Sequence, residues 1–283
     1  MRFLFVSKIQ DITGQKIKGQ VDFSANEPWR RISKQGQTEI STSVVSEAVG
    51  QLVSWMALRD NNFSGRPVFL FATQIDLSGS VPAPSVVDLE AWISDRSDDS
   101  FIFSGTAKVN GQTVVQIKDC GGYFMPLAEM EDPEVTRKRY ETLCAEGLPA
   151  NPGEEAFNFA GLVDEIKELE AGKSIKTAKT LKTTEPFYPD HFPRHPVTPI
   201  VVINEMIAEA TRRMMTKPGQ EPAVIQPLGV MDLKIKSFIK PGDTAVILSK
   251  VTETNGNEFE TVSEILVNEK RILRGRYRYR QLT

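Results

Sequence analysis

The 283-residue sequence is poor in cysteine and histidine, with two of each. The two cysteines, Cys120 and Cys144, are too few for a disulfide scaffold or a cysteine-rich zinc site, and we expect both to be small buried residues in a reducing compartment. No apolar run approaches the roughly 18 residues that span a bilayer. The opening residues also lack the pattern of a secretory signal. These absences predict a cytoplasmic protein without a membrane segment.

Excess positive charge is absent as well. The chain has 34 Lys and Arg residues against 37 Asp and Glu, a formal net charge of -3. This balance offers nucleic acid no overall attraction, so we do not expect nucleic-acid binding. Hydrophobic residues make up 40% of the chain and charged residues 25%, which is ordinary for a globular protein.

An internal repeat organises the chain. The segment EPW at 27–29 corresponds to EPF at 185–187, and Gly14 corresponds to Gly172 at the same offset of 158 residues. One inserted residue before Gly172 extends the match to the start of each copy. A period this long indicates two copies of a whole domain rather than a solenoid of short repeats.

The two copies give the predicted domain plan. Residues 1–125 are expected to form a first domain, 126–157 a linker with one short helix, and 158–283 a second domain. In each copy a long apolar helix, over about 43–58 and 199–215, precedes runs of alternating or β-branched residues that are typical of antiparallel strands. One apolar helix against an antiparallel sheet is an α+β plan, and pairing two copies would cover the helix.

Polar residues interrupt the apolar pattern of both helices. Ser43, Glu47, Gln51 and Ser54 recur at steps of four, four and three, which places them on one face of the first helix. Taken alone, this stripe favours the solvated side of an amphipathic helix. A buried carboxylate is costly unless it is paired or used in chemistry, so a functional interpretation needs a partner elsewhere.

Both histidines lie in one proline-rich segment, PDHFPRHPVTP, at 189–199. Proline fixes its own φ and restricts the preceding residue, so the segment is held extended and offers rigid support for a general base. His191 and His195, four residues apart, would suit a metal ion only on a helix. Because the prolines exclude that helix, we expect no metal site.

The segment EPFYPDHFPRHPVTPIVVINEM, at 185–206, resembles the signature of the β-hydroxyacyl-acyl-carrier-protein dehydratases of FabZ type, with the FabA enzymes as relatives. GLVDEIKELEAGKSI upstream and FIKPGDTAVI downstream resemble the same family. The resemblance is strong over 159–280 and weaker, but in register, over 1–120. The family spacing is kept at His191-Phe192-Pro193, Pro196, Pro199 and Glu205.

The resemblance implies a hot-dog fold in each copy, and therefore a double hot dog in one chain. In this family each site takes its histidine from one copy and its acid from the helix of the other. Carried over by position, His191 is the base and Glu47 the acid, and the segment Glu47 to Gln51 resembles the family's Glu-Ala-x-Ala-Gln. The reaction implied is dehydration of a β-hydroxyacyl thioester, which needs no metal or other cofactor.

The same comparison implies which residues line the substrate site. Gln51, Phe192, Pro199 and Ile200 are expected there, with backbone N–H groups at the helix start facing the thioester carbonyl. Ile200 stands where the family has glycine, and its Cβ crowds this approach. A helix N-terminus still presents free N–H groups and a positive dipole end.

The second half-site is expected to be inactive. Ser33 stands at the position that corresponds to His191, and the first copy contains no histidine. Glu205 is then left without a base. With Glu209 and Arg213 at successive steps of four, Glu205 is expected to join a helical charge network.

The partner implied is an acyl carrier protein in fatty acid or polyketide-type synthesis, with Arg194, Arg212 and Arg213 as candidate docking cations. In the last strand, RGRYRYR, arginines alternate with tyrosines, which fits either docking or a solvated edge strand. Two alternatives remain open: a hot-dog thioesterase and a non-catalytic acyl-thioester-binding subunit. Self-association of double hot dogs is compatible with this plan.

Overall fold

The computed structural model describes residues 3–33, 36–78, 81–150, 155–217 and 219–282. By its contacts the chain divides into two compact units: residues 1–70, 77–157 and 186–196 form the first, and residues 71–76, 158–185 and 197–283 form the second. The histidine segment thus packs within the unit that holds the first repeat. The domains predicted from the repeat are continuous in sequence, whereas these units each combine several segments of the chain. The predicted boundaries stay a prediction. Among the described residues, no helix is long and apolar enough to cross a membrane.

The described part of the first unit contains one long helix, two shorter helices and nine strands, although residues 71–76 of β5 belong to the second unit. Its elements in chain order are β1 Lys8–Thr13, β2 Lys16–Phe23, β3 Arg30–Ile32, β4 Thr38–Ile40, α1 Thr42–Asp60, β5 Gly65–Leu77, β6 Val81–Pro82, β7 Ser85–Arg96, β8 Ser100–Val109, β9 Gln112–Pro126, α2 Leu127–Met130 and α3 Pro133–Ala145. Its larger sheet has the order β1-β2-β7-β8-β9-β5, and a small sheet has the order β3-β4-β6.

The second unit repeats this plan. Its elements are a short 3-10 helix Phe159–Leu162, β10 Glu165–Glu170, β11 Ser174–Thr180, α4 Ile200–Met215, β12 Val224–Ile235, β13 Thr244–Asn255, β14 Glu258–Val267 and β15 Lys270–Leu282. The sheet order is β12-β15-β14-β13-β11-β10, and residues 71–76 of β5 pair with β12. Each unit therefore has one long helix against an antiparallel sheet, as the α+β expectation requires.

The opening hairpins confirm the repeat in detail. Gly14 joins β1 to β2 and Gly172 joins β10 to β11, with φ values of 60° and 72°, in the left-handed region that glycine enters without a steric cost. The pairing register also shifts at corresponding positions, after Ile9 in the first hairpin and after Ile166 in the second.

Local signals set the start and end of α1. The Ser41 side chain accepts a hydrogen bond from the Ser43 N–H and caps the helix start. After Asp60, Asn62 and Phe63 have φ values of 53° and 58°, which the helix cannot continue. The expected helices at about 43–58 and 199–215 are confirmed within two residues at each end.

The polar stripe of α1 is not a solvated face, and this interpretation was wrong. Ser43, Gln51 and Ser54 are buried, while Glu47 is half-buried. The local pattern could not reveal this, because packing on several sides of α1 comes from segments distant in sequence. The stripe therefore carries interior polar groups, which need partners inside the fold.

Two glycines allow α1 to lie close to its sheet. An added Cβ at Gly19 of β2 would lie 2.7 Å from Leu52 Cδ1, and one at Gly105 of β8 would lie 2.6 Å from Val49 Cγ1. Any side chain at either position would lift the helix or distort the strand. The height of α1 above the sheet, and with it the position of Glu47, depends on these contacts.

Two further expectations were wrong. The described part of the segment 126–157 contains two helices, α2 and the 13-residue α3, rather than one, because Asp132 caps α3 and Pro133 occupies its first turn. Of the two interpretations left open for the last strand, the solvated edge strand is excluded, because β15 lies between β12 and β14. Cys120 is buried as expected, whereas Cys144 is exposed.

We predict that Gly105→Ala destabilises the protein by about 1–3 kcal/mol, since the new methyl group would overlap Val49 Cγ1 and approach the Glu90 carbonyl oxygen at 2.9 Å. The measurement is the urea unfolding midpoint. In a Val49→Ala background the same change should cost less, because the nearer obstacle is gone. Equal losses in both backgrounds, or no loss in either, would contradict this packing account.

Candidate active site

The histidine segment is held in a fixed turn conformation. The His191 N–H donates to the Phe187 carbonyl at 2.9 Å, and the His195 N–H donates to the Phe192 carbonyl at 2.8 Å. Phe192 has a φ of 61°, a strained value for a side chain of this size that the surroundings must impose. Its ring lies 4.2 Å from the His191 ring, and the Arg66 guanidinium lies 5.3 Å from its centroid. His191 is therefore carried on a turn with little freedom.

Glu47 lies on α1 in the same unit and is half-buried. Burial of its carboxyl group raises the pKa from 4.5 to about 6, against the hydrogen bond from Gln51 and the charge of Arg66, which lower it. Arg66 is itself paired with Glu131 at 2.6 Å. Burial also raises the pKa of the Cys120 thiol, and the charge of Glu47 adds to this shift. The carboxyl group thus titrates close to neutral pH, as a general acid or base should.

Gln51, one turn after Glu47, ties α1 to the segment Phe3–Phe5. Its Oε1 accepts from the Phe5 N–H at 2.9 Å, and its Nε2 donates to the Phe3 carbonyl at 3.3 Å. The same Nε2 donates to Glu47 Oε1 at 3.2 Å. The sequence assigned Gln51 to the substrate site, but these contacts give its amide group structural partners on both sides.

The Phe3–Phe5 segment also reaches the histidine. The Phe3 ring packs edge-on against the His191 ring at 5.4 Å, and the Phe3 N–H donates to Asp190 Oδ2 at 2.9 Å. Contacts therefore run from Glu47 through Gln51 and Phe3 to His191 within one unit. The structure brings the two sequence-predicted residues into one connected set of contacts.

An aromatic cluster backs this arrangement. Phe3 packs edge-on against Phe5 at 5.1 Å and against Trp29 at 5.4 Å, and Trp29 stacks on Phe157 at 4.5 Å. Sequence reasoning did not assign these four residues to the site. The signal available was the match of Trp29 to Phe187 in the repeat, since both side chains are fully buried.

Comparison with known proteins identifies the family. The ApeI-like profile, described as ApeI dehydratase, matches residues 167–270. The 3-hydroxyacyl-[acyl-carrier-protein] dehydratase FabZ of Aromatoleum aromaticum is 36% identical over 104 residues, which are 35% of this chain and 71% of that relative. The chain belongs to the FabZ-type dehydratase family. The enzymes of this family are hydro-lyases.

The length covered differs among FabZ relatives. The share of the relative's own length ranges from 56% to 81%, and several matches lie below two thirds.

Solved structures show the double hot-dog fold over nearly the whole chain. The dehydratase domain of RzxB from Pseudomonas fluorescens superposes with a TM-score of 0.58 at 11% identity, covering 97% of this chain and 98% of that one. The 12:0-ACP thioesterase from Umbellularia californica gives 0.56 at 9% identity, with 95% of each chain covered. Because dehydratases and thioesterases share this fold, the likeness establishes architecture and not activity.

α4 begins at the position where the resemblance to the family implies glycine. Ile200 is the first helical residue and is half-buried, and Pro199 precedes it without a side-chain cap. Peptide N–H groups in the first turn of a helix have no intrahelical acceptor, so they remain available to a ligand. The assignment of Pro199 and Ile200 to substrate binding stays a prediction.

The position that corresponds to His191 in the first repeat has another structure. Ser33 lies in the connection between β3 and β4, where its N–H donates to the Gln37 carbonyl and its Oγ accepts from the Gln37 N–H. The pairing of β3 with β4 therefore distinguishes this position from the proline-supported segment around His191. The two corresponding positions differ in backbone conformation and not only in side chain.

The helical charge network in the second unit is centred on Glu209. Its carboxylate binds Arg212 at 2.7 Å and Arg213 at 2.9 Å. Glu205 is almost fully buried, and its charge is among the causes that raise the pKa of Tyr279. The expected pairing of Glu209 with Arg213 is therefore present, and the participation of Glu205 in this network stays a prediction.

Most cations singled out from the sequence have acidic partners. Arg194 is half-exposed and pairs with Asp132 at 2.8 Å. In β15, arginines and tyrosines do alternate between exposed and buried faces, but Arg276 binds Asp232 and Arg280 binds Glu258. The β15 arginines therefore stabilise the sheet by cross-strand pairing.

A basic groove of about 310 Å³ in the second unit was not anticipated. It is lined by Lys234, Lys236, Arg271, Leu273 and Arg274. Glu264 offsets part of this charge through Arg271 at 2.8 Å and Arg274 at 3.5 Å. Within the described ranges, no three His, Cys, Asp or Glu side chains cluster as metal ligands.

We predict that Glu47→Gln becomes progressively more stable relative to wild type as the pH rises from 4.5 to above 6. Below pH 4.5 the carboxyl group is protonated in both folded and unfolded chains. Above pH 6 the folded chain must hold a buried carboxylate, so stability present at low pH is lost. Melting temperatures of both proteins between pH 4 and pH 8 provide the measurement.

Glu90→Gln is the control with the opposite sign. The hydrogen bond from Lys16 holds the pKa of Glu90 below its ordinary value, so that its stabilising contribution is present at neutral pH and lost in acid. The Glu90→Gln variant should therefore become less stable relative to wild type as the pH rises. Parallel curves for wild type and Glu47→Gln would refute the raised pKa.

Proposed function

We propose that this chain dehydrates a 3-hydroxyacyl thioester to the 2-enoyl thioester, with His191 as the base and Glu47 as the acid of one composite site. The observation that carries the proposal is the connected set of contacts from Glu47 through Gln51 and Phe3 to His191. Membership in the FabZ-type family supports the reaction class, and the histidine motif supports the assignment of the base.

The reaction removes one proton and one hydroxyl group from neighbouring carbons. The His191 imidazole takes the α-proton, which the thioester carbonyl acidifies, and the freed electron pair becomes the new carbon–carbon double bond. The bond from the β-carbon to oxygen breaks with its electrons on the oxygen. Glu47 gives that oxygen a proton, so water leaves. Afterwards His191 is protonated and Glu47 ionised, and proton exchange restores both.

The contacts of Gln51 favour one location for the acidic proton. The Phe5 N–H and the Phe3 carbonyl fix the orientation of the Gln51 amide. A flipped amide would place its NH2 group against the Phe5 N–H and its oxygen against the Phe3 carbonyl oxygen. A donor therefore faces Glu47 Oε1. The hydrogen bond to Oε1 therefore favours Oε2 as the oxygen that carries the acidic proton.

A pKa of about 6 leaves Glu47 mostly ionised at pH 7 before substrate binds. A bound acyl chain would displace water and disfavour the carboxylate further, which increases the protonated fraction in the complex. Phe192 supports the His191 ring from its strained turn.

The substrate follows from the names of the relatives. FabZ proteins are named for 3-hydroxyacyl groups on acyl carrier protein, and the RzxB and CurK neighbours are dehydratase domains. We propose a carrier-bound substrate of fatty acid or polyketide-type synthesis. Carrier proteins of this kind are acidic, so docking would use cations, with Arg194 as the first candidate because it lies three residues from His191.

We predict that His191→Ala and Glu47→Gln each lower dehydration by about 10²–10⁴-fold, since each removes one proton-transfer group. The assay follows enoyl product and free thiol in parallel from one hydroxyacyl thioester. Glu205→Gln is the matched control, the same change at the corresponding position of the other helix, and should keep most activity.

Three outcomes would contradict the proposal. Near-normal turnover by His191→Ala or Glu47→Gln would remove the residue roles. Release of free thiol without enoyl product would indicate a thioesterase. Binding of the thioester with neither product would indicate a non-catalytic acyl-binding subunit.

We also predict that Arg194→Glu lowers kcat/KM for a carrier-bound substrate but not for the same acyl group on a pantetheine mimic. Screening sets in over about 10 Å at 0.1 M salt, so the carrier-bound reaction alone should weaken across a salt series. The variant also breaks the pair with Asp132, but this affects both substrates equally. Lys217→Glu, a charge reversal at another exposed position, is the control. Equal losses for both substrates would exclude docking at Arg194.

A further inference from the structure

Building on the proposed function, we infer that Asp190 is a positioning residue that holds His191 and Glu47 in register through the segment Phe3–Phe5, which we call the brace. The residue does not itself take part in proton transfer. Its role follows from four groups of contacts, all within the first unit.

The first contact fixes the brace to the histidine segment. Asp190 Oδ2 accepts the Phe3 N–H at 2.9 Å, across 187 residues of sequence. Hydrogen bonds to a carboxylate are about twice as strong as those between neutral groups. Because Asp190 immediately precedes His191, the bond anchors the brace next to the proposed base.

The second contact lets the brace act on the imidazole. The Phe3 ring meets the His191 ring edge-on at 5.4 Å with an interplanar angle of 81°. Phe3 is 1% exposed and is confined by Phe5 and Trp29. A displacement of Phe3 would therefore change the packing that orients the His191 ring.

The third contact joins the brace to the proposed acid. The Gln51 amide binds the Phe3 carbonyl and the Phe5 N–H as a neighbouring strand would, and its remaining N–H reaches Glu47. Gln51 is buried, so a lost partner would leave a buried polar group unsatisfied. Movement of the brace thus reaches the oxygen atoms of Glu47 as well.

The fourth group of contacts fixes the end of the brace that lies away from Asp190. Ser7 donates its N–H to the Gln20 carbonyl at 2.8 Å, accepts the Asp22 N–H on Oγ at 2.9 Å and accepts the Leu148 N–H at 2.7 Å. The brace is therefore anchored beyond Phe5, while Asp190 ties it to the histidine segment. Loss of the Asp190 acceptor frees the end that touches the proposed base.

The test compares Asp190→Ala with Asp190→Asn. The alanine variant should lower kcat by about 10- to 100-fold, because a shift of about 1 Å between reacting groups costs this much. KM should stay within about threefold, since the brace supports groups that act in the transition state. The asparagine variant keeps an oxygen acceptor and should retain most of kcat.

Asp243→Ala is the matched control. Asp243 Oδ2 accepts the Lys240 N–H at 2.8 Å, a similar contact in the second unit that does not involve the brace. This variant should keep kcat. If Asp190→Ala does not fold, Asp190→Glu replaces it, because the longer side chain keeps the charge but moves the acceptor by one methylene group.

Two further readouts separate positioning from general destabilisation. Hydrogen exchange of the Phe3 and Phe5 amides should accelerate in Asp190→Ala and stay unchanged in Asp243→Ala, whether or not turnover is measured. The kcat losses of Asp190→Ala and Gln51→Leu should be less than additive in the double variant, because both act through the brace.

Any of four results overturns the inference. The first is unchanged hydrogen exchange of the Phe3 and Phe5 amides in Asp190→Ala, and the second is a kcat of Asp190→Ala or Asp190→Glu within about threefold of wild type. The third is an equal loss of kcat in the alanine and asparagine variants, and the fourth is an additive loss of kcat in the double variant. Failure of the proposed function has a different signature. In that case His191→Ala would turn over normally or wild type would form no enoyl product, while the exchange data would still report whether Asp190 holds the brace.

Discussion

The amide group of Gln51 makes three hydrogen bonds inside the first unit, and the candidate site depends on that arrangement. The amide oxygen accepts from the Phe5 N–H, and the amide nitrogen donates to the Phe3 carbonyl. The same nitrogen also donates to Glu47 Oε1. The Gln51 side chain thus makes the hydrogen bonds that a neighbouring strand would make to the Phe3–Phe5 segment. A segment of chain with no long helix or strand of its own is held against α1, and the carboxyl group one turn away is held with it.

Close packing explains why Glu47 has its raised pKa. Gly19 and Gly105 let α1 approach the sheet, and the helix is buried over most of its circumference. Burial of the carboxyl group disfavours its charged form, and this desolvation outweighs the stabilising effects of Gln51 and Arg66 on that form. Arg66 is itself neutralised by Glu131, which limits how far it can lower the pKa. The packing of the helix and the chemistry of the acid are two consequences of the same contacts.

Much of the fold was predictable because its signals are local. The repeat, the two long helices and the alternating strands all follow from patterns in the sequence, and the Asp132-Pro133 start of α3 is a local signal of the same kind. The remaining features of the fold depend on contacts between residues that are far apart in the sequence. Whether β15 is an edge strand depends on β12 and β14, and whether the polar stripe of α1 meets water depends on segments such as Phe3–Phe5. The Asp190 contact joins residues 187 positions apart, and no local pattern marks it.

The two repeats differ in backbone conformation at the positions of His191 and Ser33. Around His191, prolines, a left-handed Phe192 and backbone hydrogen bonds hold one turn, whereas around Ser33 a short hairpin uses its backbone groups to pair β3 with β4. The conformation of such a turn is set by the whole segment, so the two positions differ in more than one side chain. In the second unit the polar groups of the helix that corresponds to α1 are bound to other partners: Asn204 accepts from the Tyr277 hydroxyl, and Glu209 pairs with Arg212 and Arg213. Burial favours polar side chains that satisfy one another, which accounts for these pairings.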